Sequence, residues 1–105
     1  MLVVTNTIRI KEGHGDTIAA RFGADNGVQT MPGFIRLEVW QGAPKDGVEE
    51  LKICTVWENE EALNGWTSSP AFRESHRGAG RNEAIVGASL DKYDLKFSRT
   101  PNGQA

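Results

Sequence analysis

Three side chains in this sequence, Asn6, Trp66 and His76, combine a residue type and a setting that could do chemistry on a bound ligand. His76 falls four residues after Phe72, so a helix carries both on one face. Ser69-Pro70 starts that helix, with serine as N-cap and proline in the first turn, and a glycine-rich stretch follows it. A neutral imidazole there could ligate iron while the glycine-rich segment opens for a flat ligand; without such a ligand it is a structural or exposed histidine. Asn6 interrupts the apolar alternation of Leu2, Val4, Ile8 and Ile10. A carboxamide on such a face is structural, satisfied within the fold or placed at a sheet edge, or it is a donor aimed into a pocket. Trp66, three residues after Leu63, is core unless a pocket opens where two short helices part. Arg73, Arg77 and Arg81 surround His76 as a solvated helix end or as partners for a ligand's carboxylates. His14, between Gly13 and Gly15, reads as a surface turn residue.

Other chemistries leave little trace. The sequence has no phosphate-cradling glycine loop, no His-x-x-x-His metal pair and no glycine-flanked serine nucleophile. Glu60-Glu61 is a helix start before it is a catalytic dyad. The lone cysteine, Cys54, can make neither an intrachain disulfide nor a cysteine-only zinc site, and reads as a buried thiol. A net charge of -2 makes no electrostatic case for nucleic acid or an acidic membrane. No apolar run approaches the ~18 residues of a membrane span, and Met1 to Ile10 lacks the pattern of a secretory leader. The expected compartment is the reducing cytoplasm.

These residues need a scaffold, and periodicity supplies one. Leu2 to Ile10 alternates as a strand. Asp16 is the expected N-cap of a helix that carries Ile18 and Phe22 on one face and ends at Asn26-Gly27. Gly23, inside that helix, costs about 1 kcal/mol relative to alanine, and it either marks close packing or a nearby ligand or is simply tolerated. Met31-Pro32-Gly33 punctuates the chain. Phe34 to Gln41 follows as a strand, with Ile35, Leu37 and Val39 on one side, and pairs as a hairpin with Leu51 to Trp57. Asn59 caps a short helix, Ser69 caps the next, Arg77 to Gly87 connects, and Ala88 to Phe97 is the last strand. The order predicts an α+β, ferredoxin-like βαββαβ plan: a four-stranded antiparallel sheet with helices on one face. At 105 residues this is one domain, residues 1–98, with a tail at 99–105. The bare sheet face needs cover, and a second copy of the chain is the simplest cover, giving a homodimer.

Taken in order, Asn6 within Val-Val-Thr-Asn-Thr, Met31-Pro32-Gly33-Phe34, Thr55-Val56-Trp57-Glu58, Trp66, and Ser69-Pro70-Ala71-Phe72 with His76 resemble a known family. It is that of the IsdG-type haem-degrading monooxygenases, within the antibiotic-biosynthesis-monooxygenase-like dimeric α+β barrel superfamily. The resemblance runs from Leu2 to about Phe97 and departs at Leu63, where an aromatic is more usual. It implies haem as both cofactor and substrate, opened by O2 with electrons from an external donor. It implies His76 as proximal iron ligand, Asn6 as distal hydrogen-bond donor toward the oxygen, and Trp66 as the wall that bends the porphyrin. Phe22 and Phe72 are further wall candidates from their helix faces, and nearby arginines would face the propionates. Two other readings stay open: a cofactor-free monooxygenase of the superfamily acting on a polyphenol, and a haem-binding module with no activity.

Overall fold

The structure is a computed structural model that describes residues 1–75 and 84–101. The chain runs β1 (Leu2–Lys11), α1 (Gly15–Phe22), a 3-10 turn (Val28–Thr30), β2 (Phe34–Gln41), β3 (Val48–Trp57), α2 (Glu60–Thr67), α3 (Pro70–Ser75) and β4 (Ile85–Asp94). The strands form one antiparallel sheet in the order β2-β3-β1-β4, and the helices pack on one face of it. This is the ferredoxin-like arrangement that the element order predicts.

Alternation decides what each face carries. Leu2, Val4, Asn6, Ile8 and Ile10 point toward the helices, opposite Trp57, Thr55, Ile53, Leu51 and Glu49 of β3. Two separate apolar clusters form on that face. Val4, Val28, Trp57, Leu63 and Trp66 are buried together near the start of β1. Ile8, Ile10, Ile18, Leu51 and Ala84 are buried together near its end. Asn6 lies between Val4 and Ile8, so β1 passes from one cluster to the other at a carboxamide.

Gly33 holds the chain's entry to β2. Its φ of 80° is a left-handed conformation that suits glycine, and a Cβ there would meet Ala62 of α2 at 2.5 Å. The expected strand face shifts by one residue at this point. A bulge between Phe34 and Arg36 places Phe34, rather than Ile35, with Leu37 and Val39. The Phe34 ring then meets Trp57 edge-on at 5.4 Å.

α1 is shorter than its sequence suggests. Asp25 Oδ1 accepts the Gly27 N–H at 2.9 Å, and Asn26 Oδ1 accepts the Val28 N–H at 3.1 Å. Those side chains turn the backbone into the 3-10 turn, so the helix stops at Phe22. Gly23 is the C-cap, and a Cβ on it would meet two helix carbonyls at an ordinary 3.7 Å, so it marks no close approach. Asp16 is not the N-cap: the helix starts at Gly15, with His14 in the cap position and no side-chain cap. The cap comes from another strand. Glu49 Oε2 on β3 accepts the N–H groups of Gly13 and Gly15 at 2.7 and 3.2 Å, and its Oε1 accepts the Gln41 amide at 2.9 Å.

β4 lies three residues earlier than expected, at Ile85–Asp94 instead of 88–97. Asp94 already pairs with Leu2, the first residue of β1, so Leu95 to Phe97 have no ladder to join beyond one bond from Leu95 N–H to Met1 O at 2.9 Å. At the other end a bulge at Arg9/Ile10 brings Ile85 into register. The Arg9 guanidinium occupies the space a Cβ on Gly87 would need, so that glycine belongs to a strand rather than a loop.

Candidate functional site

Between the two clusters, helices and sheet part to leave a cavity of about 580 Å³. That size suits a compact organic ligand. Val4, Asn6, Ile53 and Leu90 lie along its sheet floor, Phe22 stands on one side, and Leu63, Trp66 and Phe72 stand on the other. Asn6 is flanked in register by Ile53 on β3 and Leu90 on β4. Its carboxamide makes no hydrogen bond to any described residue. The structural reading of Asn6 requires a partner within the fold or a sheet edge; β1 is an inner strand, and the amide faces the cavity, where a ligand can meet it.

The aromatic wall is fixed by local chemistry. Asn59 Oδ1 accepts the Ala62 N–H at 2.9 Å and starts α2. Ser69 Oγ donates to Trp66 O at 2.7 Å and accepts the Phe72 N–H at 3.1 Å, joining the end of α2 to the start of α3. That corner sets the Trp66 and Phe72 rings edge-to-face, 5.6 Å apart at 85°. Trp66 is only 6% exposed, packed with Trp57 and Leu63, yet it still lines the cavity. It is core and wall at once, so neither sequence reading of it stands alone. Leu63 fills the place beside it as a buried aliphatic residue.

Asn6, Phe22, Trp66 and Phe72 thus meet at one cavity. His76 lies outside the described residues, as do Arg77 and Arg81. Arg73 is a helix-end contact, donating to Ser68 O at 3.3 Å. Among the described residues, the cations that line the cavity are Arg21, in the last turn of α1, and Lys92 of β4. Sequence reading passed over both. The signal for Arg21 was its place beside Phe22; the signal for Lys92 was its pairing opposite Val4. Lys92 Nζ donates to Glu60 Oε1 at 2.7 Å. Among the described residues no cluster of three His, Cys, Asp or Glu side chains gathers to hold a metal ion. Trp57 is fully buried and donates from its indole N–H to Thr55 Oγ1 at 3.0 Å, which makes it a packing residue.

Cys54 takes no part in this site. It faces the other side of the sheet, opposite Thr5 and Glu38. Burial above all, and then the Glu38 carboxylate, push its thiol up, which keeps it protonated and a poor nucleophile. Among the described residues no helix is long and apolar enough to cross a membrane.

Comparison with known proteins identifies the family. The antibiotic biosynthesis monooxygenase family model matches residues 1–78. A protein of Bacillus thuringiensis (strain Al Hakam) named heme-degrading monooxygenase is 39% identical over 107 residues, which span 100% of this chain and 99% of that one. A protein of the same name from Bacillus cereus (strain B4264) is 38% identical over 106 residues, again 100% and 99% of the two chains. Among solved structures, the heme degrader MhuD of Mycobacterium tuberculosis, with two hemes bound in its active site, superposes with a TM-score of 0.73 at 29% identity, covering 95% of this chain and 100% of that one. The chain belongs to the antibiotic biosynthesis monooxygenase family, and is an enzyme of the branch that carries the name haem-degrading monooxygenase.

Proposed function

We propose that the enzyme binds haem as its substrate and opens the porphyrin with O2 and electrons from an external donor, releasing iron. The observation that carries this reading is the uncommitted Asn6 amide on the floor of an apolar, aromatic-walled cavity. The full-length identity to proteins named for haem degradation supports it. A flat macrocycle suits such a lining, because burial of apolar surface contributes roughly 25 cal/mol per Å². Haem supplies the redox chemistry, so the protein has to bind, orient and polarise. In this reading Asn6 donates a hydrogen bond on the distal side of the ring. Trp66, held by its buried neighbours, would be the rigid wall against the macrocycle, and Phe22 and Phe72 would flank it. His76, four residues beyond Phe72 in the chain, would be the residue that holds the haem iron.

The same reading makes the working form a homodimer, residues 1–98 its domain, 99–105 a tail, and the reducing cytoplasm its compartment. Support for the dimer comes from the face without helices. Trp40 and Tyr93 stand there more than half exposed, and the buried Thr5 hydroxyl on that face has no hydrogen-bond partner among the described residues. A second sheet would cover the rings and can complete the hydroxyl.

The test is a visible absorption time course of the protein loaded with haemin, in air, with ascorbate and catalase. The expected result is loss of the Soret band with appearance of an opened tetrapyrrole and chelatable iron. A Soret band that persists with every reductant supplied would leave a haem-binding module. No Soret shift on adding haemin would leave a haem-independent monooxygenase.

A further inference from the structure

The cavity is apolar in its floor and aromatic wall, but a cation stands in its lining on β4. Lys92 faces the cavity because it pairs with Val4, two residues along from the Leu90–Asn6 pair. Its ammonium donates to Glu60 at 2.7 Å, and both side chains are about half exposed, at 47% and 53%. Glu60 is the first residue of α2. A carboxylate there is favoured by the helix N-terminus whether or not a lysine faces it. An exposed ion pair of this kind adds little stability, so Lys92 can leave Glu60 at small cost, and its four-carbon stem gives it reach. On the α2 side of the cavity, Asn64 and Thr67 follow Glu60 at helical spacing and line the cavity. The ligand this arrangement selects is flat and apolar over most of its area, with an ionised carboxylate at its edge.

We propose that Lys92 is a carboxylate-recognition residue of the site, held by Glu60 until the ligand arrives and then exchanged onto one propionate of haem. The inference rests on the haem reading above. The exchange makes and breaks no covalent bond: Lys92 leaves one carboxylate for another, and Glu60 returns to water at the helix start. Glu60 thereby acts as a competitor for the ligand's carboxylate. The test is a Soret titration with haemin and with haemin dimethyl ester, whose carboxylates are blocked. The wild-type protein should favour the free acid. Lys92→Met should weaken haemin about fivefold and leave the ester unchanged. Glu60→Gln should tighten haemin but not the ester. An acid-to-ester affinity ratio that Lys92→Met leaves at the wild-type value would overturn the role of Lys92 while leaving the haem reading intact, as would equal weakening of both ligands. No Soret shift with either ligand on the wild-type protein would overturn the haem reading and this inference with it.

Discussion

Val4 and Ile8 lie on the same face of β1, and what covers them differs in kind. Around Val4 the cover is aromatic: Trp57 and Trp66 are buried, with Phe34 and Phe72 packed against them. Around Ile8 it is aliphatic and closed: Ile10 and Leu51 have no exposed surface, and Ile18 of α1 seals them. Rings meeting edge-on at a helix–helix corner leave a straight wall, whereas branched aliphatic side chains interdigitate and fill space. The cavity therefore opens on the Trp66 side of Asn6 and ends against Phe22, which with Ala19 packs from α1 on the closed cluster. One cluster supplies the site's working surface, and the other supplies the anvil that keeps the sheet floor in place.

The largest effect is expected at the seam itself. Asn6→Ala should lower haem turnover by about a hundredfold or more, the loss typical of removing one positioned donor. Haemin affinity should stay within a few-fold, because the apolar lining remains. The thermal midpoint should hold or rise slightly, since no described residue depends on that amide. Steady-state turnover beside a Soret titration would measure both. Full turnover in the variant would remove Asn6 from the mechanism and leave the seam a packing accident.

The next effect separates the clusters. Trp66→Ala and Ile18→Ala each delete a side chain that is more than nine-tenths buried, costing about 3–5 and 2–5 kcal/mol of stability respectively. Only Trp66 lines the cavity. Resonance Raman spectra of the haemin complexes should therefore report a flatter ring in Trp66→Ala and an unchanged ring in Ile18→Ala. Equal spectral changes in the two variants would show that the clusters act as one unit.

The division explains what the sequence reveals. The α+β order, the β2–β3 hairpin, both caps before α2 and α3, and the placement of Asn6, Phe22, Trp66 and Phe72 on the helix-covered side follow from period and from local donors and acceptors. Each of those signals acts over a few residues: Asn59 on Ala62, Ser69 on Phe72, Leu63 beside Trp66. Apart from the end of α1, which the local turns at Asp25 and Asn26 set, the errors fall where partners are distant in sequence. α1 is capped by Glu49 from a strand 34 residues away, so no local pattern announces its start. The start of β4 is decided by its ladder with β1 and by Arg9 filling the space above Gly87, which makes a strand glycine look like a loop glycine. Lys92 escaped notice for the same reason, because only its pairing with Val4 turns it toward the cavity.

The smallest expected effect sharpens the account of the closed cluster. Glu49 stands next to it in register with Ile10 and is itself buried. Its carboxyl is held below the ordinary range chiefly by the Gly13 N–H and then by the Gln41 amide, with the Gly15 N–H and the nearby His14 acting in the same direction. A carboxyl that is more acidic in the folded protein contributes stability present above its unfolded value, about 4.3. That contribution is lost as pH falls through the folded value. Thermal midpoints measured from pH 6 downward should thus fall less steeply in Glu49→Gln than in the wild-type protein, with the two curves converging in acid. The substitution keeps the side-chain shape and one accepting oxygen for the Gly13 N–H, while Gln41 can rotate its amide to face the new donor. Asp25 and Asp94 also titrate below the ordinary range, Asp25 through Gln29 and Asp94 through Lys96. Their contribution is common to both proteins and cancels in the difference. Parallel curves would mean that the Glu49 latch contributes shape without charge, and that Ile18 and Ile10 alone keep α1 seated.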